Sequence, residues 1–137
     1  TGRVDDIINV AGHRLSTAEM EEAVSGHKDV AECCVVGIED DLKGQIPFGL
    51  VVLKSGTQIS ETEVEKEVVA LVREKIGAVA ALRNIVVVKR LPKTRSGKIL
   101  RKLIRTMLDG KEFQIPSTID DEAIIGELQE KFEEYRK

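Results

Sequence analysis

The chain of 137 residues has no tryptophan, one tyrosine and three phenylalanines. So few rings leave it without the stacking platforms on which single-stranded nucleic acids are bound. Its two cysteines, Cys33 and Cys34, are adjacent in an apolar stretch. Strand alternation sends such neighbours to opposite faces, so a structural disulfide between them is not expected. His13 and His27 have no cysteine or carboxylate at metal-ligand spacing, and no metal site is expected. Nor is there an apolar run of about 18 residues, or a basic segment followed by an apolar one at the start. Neither a membrane span, a membrane partner nor a signal peptide is expected. Because the chain opens Thr1-Gly2-Arg3 without methionine, it reads as a piece of a longer protein whose targeting signal would not be visible. Two buried thiols without a staple suggest a reducing compartment, the cytoplasm or the mitochondrial matrix.

Charge is abundant but unevenly placed. Lysine and arginine total 21 against 24 acidic residues, for a net charge of −3. Yet from Lys89 to Arg105 every charged residue is basic. An anion is therefore expected at this segment, while the acidic remainder argues against a general polyanion binder. A specific phosphate or carboxylate fits better than bulk nucleic acid.

Apolar content of 42% and charge of 33% suit one soluble globular domain. Ile7 to Val10 with Gly12 reads as a short hairpin bending at the glycine, ahead of the core. Ser16-Thr17-Ala18-Glu19 and Ser60-Glu61-Thr62-Glu63 are capping boxes. The first predicts a helix from Thr17 to Ser25 closed by a left-handed Gly26, the second a helix to Ile76 closed by Gly77. Val30–Ile38, Pro47–Lys54 and Ile85–Val88 read as strands, with a loop from Glu39 to Gln45. A helix is expected from about Lys98 to Leu108, and an amphipathic one within Asp120–Arg136. The expectation is an α+β fold: a mostly antiparallel sheet of about three strands covered by helices, with an N-terminal hinge hairpin and a C-terminal helical tail. The segments are 1–15, 16–110 and 111–137.

Within the basic run, Pro92-Lys93-Thr94-Arg95-Ser96-Gly97-Lys98 could extend Lys98 as a point charge toward a substrate oxygen. A Walker phosphate loop is excluded, because Pro92 stands where its first glycine is needed and Ile99 follows the lysine. Taken alone, Lys98 reads as a solvated first-turn lysine.

The motif Gly2-Arg3-Val4-Asp5-Asp6-Ile7-Ile8-Asn9-Val10-Ala11-Gly12-His13-Arg14-Leu15 and the motif Leu91-Pro92-Lys93-Thr94-Arg95-Ser96-Gly97-Lys98 occur together and in this order. Together they resemble the C-terminal domain of the adenylate-forming acyl-CoA synthetases, nearest the acetyl- and propionyl-CoA synthetase branch. That resemblance covers residues 1 to about 110, and Ser117–Asp121 is also similar to the short-chain branch. It implies an AMP-forming acid–thiol ligase with ATP, CoA and a short-chain carboxylate as substrates. Lys98 is then the catalytic adenylation lysine, Arg3 and Arg14 meet nucleotide phosphates, and Asp5 is the hinge. Gly12 lines the pantetheine tunnel and Arg73 contacts a CoA phosphate. Control by acetylation of Lys98, and hence an acetyltransferase and deacetylase as partners, follows from the same resemblance. The large N-terminal domain, expected to hold Mg²⁺ and to be this chain's main partner, is missing, so the fragment is expected to be inactive alone. Acyl chain length and oligomeric state are not legible.

Two other readings stand beside this one. An adenylation domain could load a carrier protein instead of free CoA. A non-enzymatic nucleic-acid module would use residues 89–105 as a phosphate footprint, against which the lack of aromatics weighs.

Overall fold

The computed structural model describes residues 7–10, 13–42, 44–77, 82 and 84–136. Arg3, Asp5 and Gly12, assigned above to phosphate, hinge and tunnel, lie outside the described residues.

Both capping boxes start helices where expected. Ser16 Oγ accepts the Glu19 amide at 3.2 Å and opens α1 (Thr17–Ser25). Ser60 Oγ accepts the Glu63 amide at 3.1 Å and opens α2 (Glu61–Ile76). Satisfying an amide that has no partner within the helix is what makes serine effective here. At the other ends the two differ. Gly77 has φ +116°, which favours glycine, but Gly26 is right-handed at φ −73°. Its N–H turns back to Ala23 O in a tightened last turn, so the left-handed cap expected at Gly26 is not formed.

The β-branched runs form β3 (Val30–Asp40) and β4 (Gly44–Leu53), paired antiparallel from Val30↔Leu53 to Asp40↔Gly44. Strand pairing thus continues through Glu39 and Asp40, which had read as loop. Polar side chains fit there because this end of the ladder is only partly buried. β5 (Asn84–Val87) runs parallel to β4. The α+β class holds, and the sheet is mostly antiparallel, but it has five strands rather than about three. The extra two are the hairpin β1 (Ile7–Val10) and β2 (His13–Ser16), which joins β4 through Val10↔Gly44. It does not merely precede the core, since Ile8 is 2% exposed within it.

Alternation along the strands builds two apolar layers. Val35, Val51, Ile85 and Val87 face α1 and α2, packing on Met20, Val24, Val64, Val68 and Val72. Cys34, Val36, Phe48, Leu50 and Val86 face the other way, onto α3 (Arg101–Leu108) and α4 (Ala123–Arg136). Cys33 and Cys34 accordingly divide between the two layers, with no disulfide between them. The tail helix docks on the domain itself: Phe48 meets Phe132 and Tyr135 edge-on, at centroid distances of 6.2 and 4.9 Å.

β3 is an edge strand, and two of its outward amides are covered. The Val35 N–H donates to Glu21 Oε2 of α1 at 2.8 Å, and the Glu39 N–H to Asp109 Oδ1 at 2.9 Å. Side-chain acceptors there prevent another strand from adding to the sheet.

Candidate functional site

The basic segment links β5 to α3 as a closed loop. Thr94 N–H donates to Lys98 O at 2.8 Å, while Lys98 N–H donates to Thr94 Oγ1 at 3.1 Å. Leu100 N–H reaches Pro92 O at 2.9 Å, and Lys93 and Ile99 form an antiparallel bridge. Gly97, at φ +91°, makes the turn possible. This local ladder displaces the expected helix start: α3 begins at Arg101, not about Lys98. Lys98 is therefore fixed by a hydrogen-bonded loop instead of a first helical turn.

The Lys98 side chain is exposed, and among the described residues its ammonium has no hydrogen-bond or ion-pair partner. It stands on the rim of an open groove of about 870 Å³, lined also by Arg101, Lys102, Thr106, Phe113 and Pro116. Other cations of the run are already engaged. Arg90 Nη1 contacts Asp121 Oδ2 and Arg90 Nη2 contacts Glu127 Oε2, each at 2.7 Å. Lys93 pairs with Glu32 of β3. Arg101 forks onto Glu21 at 2.8 and 3.3 Å, with both side chains largely buried. The basic run is thus divided: Arg90, Lys93 and Arg101 are structural cations, while Lys98, like Arg95 and Lys102, is exposed without an ion pair among the described residues. No local pattern could have revealed that division, because the engaged partners lie 31 to 80 residues away.

Arg14 is exposed on β2, opposite Asn9 in the hairpin. Arg73 is exposed in the last turn of α2. Lys98, Arg14 and Arg73 stand on three different elements. Among the described residues none of their side chains makes an ion pair, so the three are available to anions.

Cys33 offers no nucleophile. Burial pushes its thiol up to about 12, with the Glu21 carboxylate adding to the effect, and its Sγ donates to Glu21 O at 3.3 Å. Among the described residues no group of three or more His, Cys, Asp or Glu could hold a metal ion. Nor is any helix long and apolar enough to cross a membrane.

A three-layer fold that exposes Lys98 on a hydrogen-bonded loop is a scaffold for presenting a charge to something outside it. Residues 19–98 match the AMP-binding enzyme C-terminal domain, and the chain belongs to that family. The match ends on Lys98 itself.

Among its relatives, an uncharacterized protein of Pseudomonas aeruginosa is 59% identical over 93% of this chain and 20% of its own length. The mitochondrial acyl-CoA synthetase short-chain family member 3 of Homo sapiens is 52% identical over 93% of this chain and 19% of its own. A crystal structure of the Brucella canis acyl-CoA synthetase superposes with a TM-score of 0.70 at 37% identity, covering 77% of this chain and 19% of that one. The chain thus spans about a fifth of the length of these relatives.

Proposed function

We propose that this chain is the C-terminal lid of an AMP-forming short-chain acyl-CoA synthetase, and that Lys98 is its adenylation lysine. The observation carrying this reading is the bare ammonium of Lys98, held on a hydrogen-bonded loop where the family match ends. In the first half-reaction a carboxylate oxygen attacks the α-phosphorus of ATP and pyrophosphate leaves, giving acyl-AMP. Two anions must approach for this, and an ammonium between them offsets their repulsion in the transition state.

The lid then rotates about Asp5, withdrawing Lys98 and bringing Gly12 beside the pantetheine arm. The CoA thiolate attacks the acyl carbon and AMP leaves. Arg3 and Arg14 serve the nucleotide phosphates, for which a guanidinium fork is suited, and Arg73 serves a CoA phosphate. A second conformation lets one lid serve two reactions in turn. Mg²⁺ belongs to the N-terminal domain. Short-chain carboxylates are the substrate class, supported by the names of the Dictyostelium and human relatives, both also mitochondrial. The lid alone, lacking that domain, is inactive. Acetylation of Lys98 removes the charge and stops the first step, giving an acetyltransferase and a deacetylase as regulatory partners.

The test is Lys98→Ala in the full-length protein. Acyl-AMP formation, followed by pyrophosphate exchange, is expected to fall at least about 10²–10³-fold. Thioester formation from supplied acyl-AMP should persist. Equal loss of both half-reactions would overturn the role of Lys98. Asp5→Pro should instead arrest the lid, impairing one half-reaction and sparing the other.

A further inference from the structure

The Lys98 loop is gripped on its outer side by a segment that no catalytic role explains. Arg95 N–H donates to Thr118 O at 3.0 Å, Asp120 N–H donates to Lys93 O at 2.9 Å, and Thr94 bridges Ile119. The arm from Lys93 to Arg95 is thus the middle rung of a miniature ladder. The Lys98–Ile99 arm lies on one side and the tail segment on the other. Ile119 is 4% exposed and anchors this rung in the second apolar layer.

What holds the tail segment in place is Asp121. Its Oδ1 accepts the Ala123 N–H at 2.9 Å at the start of α4, and its Oδ2 receives Arg90. Arg90 lies two residues before Pro92, and its other nitrogens fork onto Glu127 of α4 at 2.7 and 3.4 Å. One guanidinium therefore fastens both the root of the loop and the root of the tail helix. Both carboxyls are held below their usual range by the hydrogen bonds from Arg90.

We propose that Thr118–Glu127 is a strap that positions the Lys98 loop for adenylation, with Asp121 and Arg90 as its positioning residues. The proposal rests on the reading of Lys98 given above. The Arg90 clip is partly exposed, and exposed ion pairs contribute little to folding. Geometry is far more sensitive, since displacing a reacting group by about 1 Å can cost about 10²-fold in rate. The clip should therefore matter much more to the first half-reaction than to stability. The inner side of the loop keeps its own anchors, buried Leu91 and Pro92 and the Lys93–Glu32 pair, so loosening the strap would let the loop pivot without unfolding it.

The experiment uses the full-length protein with Asp121→Asn, Arg90→Gln and the double variant. Asparagine at 121 retains the acceptor for Ala123 N–H while losing the charge. Each single change is expected to lower kcat of acyl-AMP formation about tenfold with KM for ATP and carboxylate nearly unchanged. Thioester formation from supplied acyl-AMP should stay within about twofold, and the double variant should be no worse than either single one. Amide exchange read by mass spectrometry should quicken at Arg95 and Asp120 in all three. Unchanged exchange at those amides would overturn the strap whatever Lys98 does. So would both half-reactions falling together with the melting temperature, since that marks a merely structural clip. Should Lys98→Ala spare acyl-AMP formation, the functional reading fails by itself, and the exchange measurement still decides whether the strap holds the loop. Should Lys98→Ala abolish it while the strap variants remain fully active, the function stands and the positioning role is refuted.

Discussion

The two layers that cover the sheet are built by different rules. The layer of α1 and α2 begins each helix with a serine that caps it and buries a valine-rich stripe, all within short spans of sequence. That of α3 and α4 has a helix start without a side-chain cap, at Leu100, and leans on contacts between distant residues: Arg90 with Asp121 and Glu127, Tyr135 with Asn84, Phe132 with Phe48. The difference teaches that the layer carrying Lys98 is the one assembled from tertiary contacts. Its loop is therefore held by residues remote in sequence, while the opposite layer rests more on local signals.

The sharpest break in this comparison is Phe132→Ala, which removes a ring that is 2% exposed from the second layer. It should cost about 3–5 kcal/mol in urea unfolding, among the largest costs for any single truncation. Next comes Glu21→Ala, which severs an ionic tie from α1 to α3 and leaves the Val35 amide and Arg101 without this acceptor. With both side chains only 13–16% exposed, a loss of about 1–3 kcal/mol is expected from the same measurement.

Ser16→Ala and Ser60→Ala test the locally built layer, and each should cost about 1 kcal/mol. If either cost much more, the opposite layer would depend on distant contacts too. The smallest effect concerns Cys33, whose thiol is raised in the folded chain from 9.0 to about 12. The folded state then keeps a proton that the unfolded state gives up. Its contribution is complete below about pH 9 and fades as pH climbs toward 12, with about 0.4 kcal/mol already lost at pH 9. Comparing unfolding midpoints of the wild type and Cys33→Ala from pH 7 to 9 should show the steeper decline in the wild type.

Much of the first layer was legible in the sequence because its signals are local: serine caps with glutamate three residues on, valines at helical spacing, cysteines alternating across a strand. The exposure of Lys98 was legible too, at the end of a basic motif. Its loop was misjudged by three residues, because the bridge from Lys93 to Ile99 is a tertiary choice that overrides a helix pattern beginning at Lys98. The pairing of Arg101 with Glu21, 80 residues away, had no local trace. Gly26 looked like a left-handed cap, but the helix ends in a tight right-handed turn. Hairpin membership in the sheet was missed because the join, Val10↔Gly44 among the described residues, links positions 34 apart with no local trace.

The residues that match the family stop at Lys98, but the architecture holding Lys98 does not. Moving this domain into another member of the family by cutting after Gly110 would carry over the whole matched sequence and still strip Ile119, Ile124, Leu128 and Phe132 from over Phe48, Leu50 and Val86. Such a transplant would expose a wet, sticky sheet face prone to self-association. A swap that keeps the chain through Tyr135 would bring its own roof along.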